Sequence, residues 1–338
     1  MSKTRSNTIT YDELFSVHPS GFESLALSVF HKQYRESSVY RKYCDLLKIN
    51  PEAVDSISMI PFLPIQFFKT QVINTGSFMP ELVFESSGTT GSVNSKHYVK
   101  DSELYKQSFL RSFTKNYGNV AEKCIIGLLP SYLERQHSSL VYMVNELILQ
   151  SEQPTSGFYL YDTEKLYQTL LLNEHQAVPT ILIGVTYALL DFAEKYPMQL
   201  KHTIVMETGG MKGRRKELTR DEVHSLLTQQ LGLAEVHSEY GMTELLSQAY
   251  SHGNGIFKCA PWMQVLLRAE DDPFEIREAK KINDGVIRGA VNIIDLANIH
   301  SCSFIATDDV GKLYADGSFE ISGRLENSDV RGCGLMLI

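Results

Sequence analysis

Between Glu81 and Leu231 the chain alternates short apolar runs with longer amphipathic ones, and this alternation restricts the fold more than any other feature of its 338 residues. Residues 82–85, 124–129, 180–185 and 203–207 read as strands, being short and rich in apolar and β-branched side chains. Residues 102–117, 137–150, 163–173, 187–195 and 220–231 carry apolar side chains at helical spacing. Asp101 stands where an N-cap carboxylate accepts the first free backbone N–H groups of the helix at 102–117. Strands separated by helices of this length pair in parallel through crossovers. The expected class is therefore α/β, a mostly parallel sheet flanked by helices.

The flanking regions read differently. Residues 1–80 form a helical lead-in, with helices expected at 20–35 and 39–47. Pro51, Pro61 and Pro64 then interrupt helix formation, and IPFLPIQFFKTQVI is expected as an extended segment laid across a core. After Val236 short strands dominate, at 263–269, 285–295, 303–306 and 318–321. The expected organisation is one unit over 1–321, with an α/β core at 81–235 and a β-rich subdomain at 236–321. A tail at 322–338 follows, carrying Gly323, Gly332 and Gly334.

Composition narrows the function classes. Hydrophobic residues make up 43% and charged residues 21%, as in ordinary globular proteins. A net charge of −8 gives no broad basic face for nucleic acid. A local nest of backbone N–H groups still binds one phosphate in an acidic protein. No window reaches the run of about eighteen apolar residues that a membrane span needs. The segment MSKTRSNTITYDELF lacks the apolar stretch of a secretory signal. The five cysteines, Cys44, Cys124, Cys259, Cys302 and Cys333, are scattered and form no CxxC pair. They suggest neither a disulfide framework nor a zinc site, and the expected location is the cytoplasm.

Five segments carry candidate chemistry. Glu85-Ser86-Ser87-Gly88-Thr89-Thr90-Gly91 follows a strand and is followed in turn by Lys96 and His97. Small residues let several N–H groups point at one oxyanion, hydroxyls add donors, and Lys96 adds a charge for a polyphosphate. The spacing is neither that of a Walker loop nor GxGxxG. A polar surface turn is the other reading. His237-Ser238-Glu239-Tyr240-Gly241-Met242-Thr243-Glu244 is expected between a strand end and a helix. There Tyr240 can stack on a purine and Glu244 can hold Mg²⁺; a helix start capped by Thr243 explains it equally. Glu207-Thr208-Gly209-Gly210-Met211-Lys212-Gly213-Arg214 lets a flat ring approach the backbone, or is a simple loop. Thr307-Asp308-Asp309-Val310-Gly311 places a carboxylate where ribose hydroxyls can be held, and Gly323-Arg324 an arginine to brace ribose or phosphate. Hairpin turns account for both as well. The aromatic residues Phe158, Tyr159 and Tyr161 either line an acyl pocket or fill the core.

The order of these segments resembles that of the adenylate-forming superfamily: acyl-CoA synthetases, luciferases and peptide-synthetase adenylation domains. More narrowly, the stretches PFLPIQFFKTQVI, FESSGTTGSVNSKHYVKD, LLPSYLERQHSSLVYMV, METGGMKGR, HSEYGMTE and GRLENSDVRGCGLML resemble the LuxE acyl-protein synthetase family. The resemblance implies an adenylating domain over 1–321 that uses ATP and Mg²⁺. Ser87, Gly88, Thr89, Thr90, Gly91 and Lys96 would form its phosphate loop, and Gly209 and Gly210 would lie against adenine. Tyr240, Gly241, Thr243 and Glu244 would hold the adenylate, with Glu244 nearest the metal. Asp309 and Arg324 would bind ribose. Cys333 would correspond to the late cysteine that receives the acyl group before a reductase takes it. The superfamily's small C-terminal lid, with its catalytic lysine, would begin where this chain stops. Lys96, Arg214 or a partner would then supply the missing charge.

The expected activity is that of an AMP-forming acid–thiol ligase acting on a fatty or other carboxylic acid. The acyl group would pass to an acceptor protein, either a reductase or an acyl carrier protein, or to coenzyme A. A non-catalytic nucleotide- or acyl-binding subunit of a biosynthetic complex is the alternative from a different class.

Overall fold

A computed structural model describes residues 9–86, 93–130, 137–210, 218–277 and 285–325. The lead-in is helical. α1 (Tyr11–Phe15) opens with a capping box in which Thr10 and Glu13 satisfy each other's backbone N–H groups. α2 (Phe22–Glu36) and α3 (Ser38–Leu46) follow, with the Ser37 hydroxyl capping α3. The proline-rich segment is extended through β1 (Leu63–Pro64) and ends in the single turn α4 (Phe67–Thr70). Leu63, Ile65 and Phe68 are buried, so the segment lies across the core as its apolar content predicts.

β2 (Leu82–Glu85) and β3 (Lys96–Val99) form a separate antiparallel pair, with Glu85 opposite Lys96. α5 (Ser102–Tyr117) is capped by Asp101, whose carboxylate accepts from Glu103 and Leu104 N–H. The alternating region then runs β4 (Cys124–Leu128), α6 (Ser139–Gln150), β5 (Gly157–Phe158), α7 (Thr163–His175) and β6 (Thr180–Gly184). It continues through α8 (Thr186–Lys195), β7 (Thr203–Glu207), α9 (Arg220–Leu231) and β8 (His237–Tyr240). β4 and β6 are buried along their whole length, which is why they read as continuous apolar runs. Phe158 packs over Gly127 and Tyr159 is buried, while Tyr161 is exposed; Phe158 and Tyr159 fill the core.

The remaining strands are β9 (Ala249–Ser251), β10 (Phe257–Cys259), β11 (Met263–Arg268), β12 (Ile276–Arg277), β13 (Val286–Asp295), β14 (Phe304–Tyr314) and β15 (Phe319–Arg324). They do not make a second sheet. One sheet runs β12-β11-β13-β14-β15-β10-β9-β8-β7-β6-β4-β5, and β1 adds to β14 in parallel. The stretch from β8 to β5 is parallel and the stretch from β9 to β12 antiparallel, so the sheet is mixed. The β-rich segment joins the α/β part through the β8–β9 ladder.

Two local expectations are corrected. No helix follows Tyr240; β8 passes through a turn into β9. The Asp295 carboxylate captures Leu246 N–H at 2.8 Å, Ser247 N–H at 3.0 Å and the Ser247 hydroxyl at 2.6 Å. These groups therefore do not enter a helical ladder. The strand expected at 303–306 in fact continues to Tyr314, so Thr307, Asp308 and Asp309 sit inside β14 and not in a turn. Gly323 and Arg324 likewise lie inside β15, with Asp309 directly opposite Arg324.

The ladder shifts register between Val310 and Gly311, and a Cβ at Gly311 would run into the Glu320 backbone oxygen. Gly311→Ala therefore forces backbone movement in the ladder that carries Asp309. The expected loss is about 1–3 kcal/mol of stability in urea unfolding, read as a lower midpoint. An unchanged midpoint would show that the ladder absorbs a methyl group here.

Candidate active site

The site lies where β7 and β8 end at their carboxyl edges, the position at which α/β sheets open to ligands. Glu207 is the last residue of β7 and Tyr240 the last of β8. Across the opening stand Asp308, Asp309 and Arg324 from β14 and β15. Four strand spacings separate β8 from β14 along the sheet, about 19 Å if it were flat. Yet the Tyr240 hydroxyl donates to Asp309 Oδ2 at 2.8 Å. The sheet therefore curls through the short strands β9 and β10. Tyr240 packs inside the curl against Phe257 and Phe319, with ring centroids 5.8 and 5.5 Å away.

The acids on the β14 side are held by cations and amides. Arg324 Nε lies 3.4 Å from Asp309 Oδ1, and Arg324 Nη2 lies 3.4 Å from Asp308 Oδ2. Gln66, carried in by the proline-rich segment, donates its amide to Asp308. Arg268 is buried and donates to the Thr307 and Val291 carbonyls, fixing β14 from behind. Burial and the Asp309 carboxylate push the Tyr240 hydroxyl pKa well above its ordinary value, so Tyr240 stays a donor.

On the β7 side the buried Glu207 carboxylate accepts from the Thr186 hydroxyl at 2.9 Å, Gly209 N–H at 2.8 Å and the Ser238 hydroxyl at 3.1 Å. Burial opposes its charge. The His224 side chain, Arg220 and the Gly209 N–H outweigh that and hold the carboxyl down at about 2. Gly209 and Gly210 both have positive φ, 73° and 96°, which glycine adopts without strain. Their carbonyls cap the start of α8 by accepting from Thr186 and Tyr187 N–H, so the glycine turn is rigidly placed beside the opening.

A second cluster sits under the β2–β3 pair. His97 is buried and its Nδ1–H donates to the Thr243 carbonyl at 2.8 Å. Burial lowers its pKa to about 4 despite the Thr243 carbonyl and the nearby Glu244, so the ring is neutral. Ser86 and Ser95 tie the base of the hairpin, Ser86 N–H to the Ser95 carbonyl at 3.0 Å and Ser95 N–H to the Ser86 hydroxyl at 2.8 Å. Glu244 is fully buried beside His97, and its carbonyl accepts from Asn298. Lys96 is half-exposed and pairs with Glu85 at 3.2 Å.

Of the residues expected from sequence, Gly209, Tyr240, Gly241, Asp309 and Arg324 border one opening, with Gly210 adjoining it. Thr243 and Glu244 follow in the turn after β8 but are not among the residues that line the opening, Glu244 being fully buried; His97 connects them to the hairpin. Ser87, Gly88, Thr89, Thr90, Gly91, Arg214 and Cys333 lie outside the described residues. Sequence reasoning assigned no role to Glu207, Glu239, Asp308, Arg220, Gln66 or His97. Most of them stood inside the quoted segments, where an unexplained carboxylate next to a glycine turn or a tyrosine was the available signal.

A Mg²⁺ held mainly by phosphate oxygens and water needs only one or two protein carboxylates. By donor chemistry Glu244 would supply one; its side chain is fully buried beside His97. Among the described residues no three His, Cys, Asp or Glu side chains gather into a cation site made by protein alone.

Solved structures with this fold include a 2-hydroxyisobutyryl-CoA ligase in the postadenylation state in complex with 2-HIB-AMP. It is 10% identical, with a TM-score of 0.61 over 96% of this chain and 72% of the ligase. The luciferase-like enzyme of the nonluminescent mealworm Zophobas morio is 17% identical, with a TM-score of 0.50 over 75% of this chain and 60% of its own. The amide bond synthetase McbA of Marinactinospora thermotolerans is 16% identical, with a TM-score of 0.50 over 75% of this chain and 51% of its own. This chain thus spans between about half and three quarters of these proteins. The fold matches that of adenylate-forming enzyme domains. A search of curated proteins finds no match. Residues 18–338 match the family described as acyl-protein synthetase, LuxE, and the chain belongs to that family.

Glu239 is the titrating group that this site leaves most exposed to test. Burial, and then the Glu207 charge, raise its carboxyl from the usual 4.5 to about 8. The folded state therefore binds a proton that the unfolded state has already lost, and stability falls as pH rises from about 4.5 to about 8. Glu239→Gln removes this dependence. The melting temperature of the variant relative to wild type should be higher at pH 8 than at pH 5. Parallel profiles would contradict the assignment.

Proposed function

We propose that the protein activates a carboxylic acid with ATP as an acyl-adenylate and passes the acyl group to a thiol. The observation that carries this reading is the convergence of Tyr240, Asp309 and Arg324 beside the Gly209–Gly210 turn, in a chain of this family and fold. In this reading adenine lies against the glycine turn and Tyr240. Asp309 accepts from the ribose hydroxyls, and Arg324 braces ribose or the α-phosphate with charged hydrogen bonds. Ser87, Gly88, Thr89, Thr90, Gly91 and Lys96 would bind the β- and γ-phosphates. Thr243 donates its hydroxyl to the adenylate. Glu244 would hold Mg²⁺, which would supply charge neutralisation for the phosphates.

The acid's carboxylate oxygen attacks the α-phosphorus and pyrophosphate leaves. Catalysis of this step rests on positioning and on cations facing the developing charge. A thiolate then attacks the carbonyl carbon of the mixed anhydride and AMP leaves. Cys333 is proposed as the thiol within this chain, with an acyl carrier protein, a reductase or coenzyme A as onward acceptor. Among the described residues no helix is long and apolar enough to cross a membrane. A cytoplasmic location is proposed with the function.

The reading is tested by acid-dependent exchange of labelled pyrophosphate into ATP. Glu244→Gln should abolish exchange while circular dichroism and melting remain those of a folded protein. Wild-type exchange in folded Glu244→Gln would remove Glu244 from the reaction. Arg324→Ala should weaken ATP binding by about tenfold to a hundredfold, the worth of a charged hydrogen bond of roughly 1.5–3 kcal/mol. Unchanged nucleotide affinity by calorimetry would reduce Arg324 to a partner of Asp308 and Asp309.

A further inference from the structure

Side chains on β8 alternate between two faces. Ser238 and Tyr240 reach Glu207 and Asp309 on one of them. His237 and Glu239 project to the other, where α5 packs and Tyr117 Oη lies 3.3 Å from His237 Nδ1. Glu239 stands directly opposite Tyr250 of β9. Its surroundings are aromatic: Tyr250 packs edge-on against Phe113 and Tyr117, at 6.3 and 5.4 Å between ring centroids. The pairing with Tyr250 places Glu239 beside this cluster, and burial, then the Glu239 charge, raise the hydroxyl pKa values of Tyr105, Tyr117 and Tyr250.

Part of this cluster is paired: the Tyr105 hydroxyl donates to the Ser139 carbonyl at 3.1 Å and meets the Gln248 side chain, and Tyr117 meets His237. No described residue donates a hydrogen bond to the Glu239 carboxyl. The Tyr250 hydroxyl and the Gln248 side-chain oxygen are buried and have no hydrogen-bond partner, on residues that are 1% and 4% exposed. Buried polar atoms are almost always paired in folded proteins, so these two unmet atoms beside the Glu239 carboxyl call for a ligand. Glu239 is partly exposed and lines the same opening as Tyr240 and Asp309, and its carboxyl lies against Gly241, another residue of that lining. A carboxyl and an amide oxygen accept hydrogen bonds, and a phenol both accepts and donates. A saturated alkyl chain would leave all three unmet in an apolar wall. A chain that carries N–H or O–H donors would satisfy them.

We infer that Glu239 is a specificity-determining group that receives hydrogen-bond donors, ammonium or hydroxyl, on the carbon skeleton of the acid to be activated. The Tyr250 hydroxyl and the Gln248 amide oxygen complete the acceptor set. The inference rests on the proposed adenylation and goes beyond it by naming the acid's class. The desolvated state of Glu239 fits this role, because a carboxyl held near neutrality ionises when an ammonium arrives and stays protonated for a hydroxyl. A site built to hydrogen-bond a substrate group rejects the analogue that lacks it far more strongly than an apolar pocket rejects a polar one.

The experiment compares pyrophosphate exchange over three series of matched chain length: unsubstituted alkanoic, hydroxyalkanoic and aminoalkanoic acids. It uses the full chain and the variants Glu239→Gln and Tyr250→Phe. Wild type should favour one donor-bearing series over the alkanoic series by about a hundredfold in kcat/KM. Glu239→Gln should cut that ratio tenfold or more, mainly through KM, with a melting temperature no lower than wild type. Tyr250→Phe should move the ratio in the same direction. Which donor series is favoured identifies ammonium or hydroxyl. If the alkanoic series is turned over best, or if the ratio ignores Glu239, the inference is overturned while adenylation stands. If no acid in any series supports exchange, the adenylation reading falls and the inference with it.

Discussion

The hydrogen bond from Tyr240 to Asp309 is the contact on which the rest of the site depends. It joins residues 69 positions apart in sequence and four strands apart in the sheet. Without the curl it closes, the glycine turn after β7 and the Asp309–Arg324 pair would face different volumes of solvent. Its strength comes from its surroundings. The Tyr240 ring is packed among Phe257 and Phe319, and the charged acceptor strengthens the bond.

Charge around the opening is distributed rather than cancelled. Glu207 is stabilised as an anion by His224, Arg220 and three donors, whereas Asp308 and Asp309 share Arg324. Gln66 and Arg268 fix the backbone and side chains behind them. Most carboxylates here are thus held in one geometry before any ligand arrives, which is what an electrostatic site requires. Glu239 differs in having neither a cation nor a hydrogen-bond donor among the described residues.

Local features were legible in the sequence and distant pairings were not. The helix at Ser102–Tyr117, its Asp101 cap, and the strand Thr203–Glu207 follow from periodicity and capping, which act within a few residues. The polar run Thr307-Asp308-Asp309 looks like a turn because turns and polar strand segments share composition. Arg268 buried behind it, 39 residues away, and Arg324 opposite it on the next strand make it a strand, and neither contact is visible in its local composition. The same holds for Tyr240-Gly241-Met242-Thr243. A helix cap was reasonable until Asp295, about fifty residues on, took the backbone N–H groups of Leu246 and Ser247. The candidate site residues themselves were recognised through family resemblance. Their convergence required the curl, and Glu239 and His97 acquire meaning only from what packs against them.

The central claim is that the acid's own oxygen becomes bonded to the α-phosphorus of ATP. It is tested most directly with a carboxylic acid labelled with ¹⁸O in both carboxyl oxygens, incubated with the protein, ATP, Mg²⁺ and a thiol acceptor. After transfer to the thiol, mass spectrometry of the released AMP should show one ¹⁸O atom per molecule in its phosphate. Unlabelled AMP, or formation of ADP with the label in inorganic phosphate, would contradict an acyl-adenylate and the account built on it.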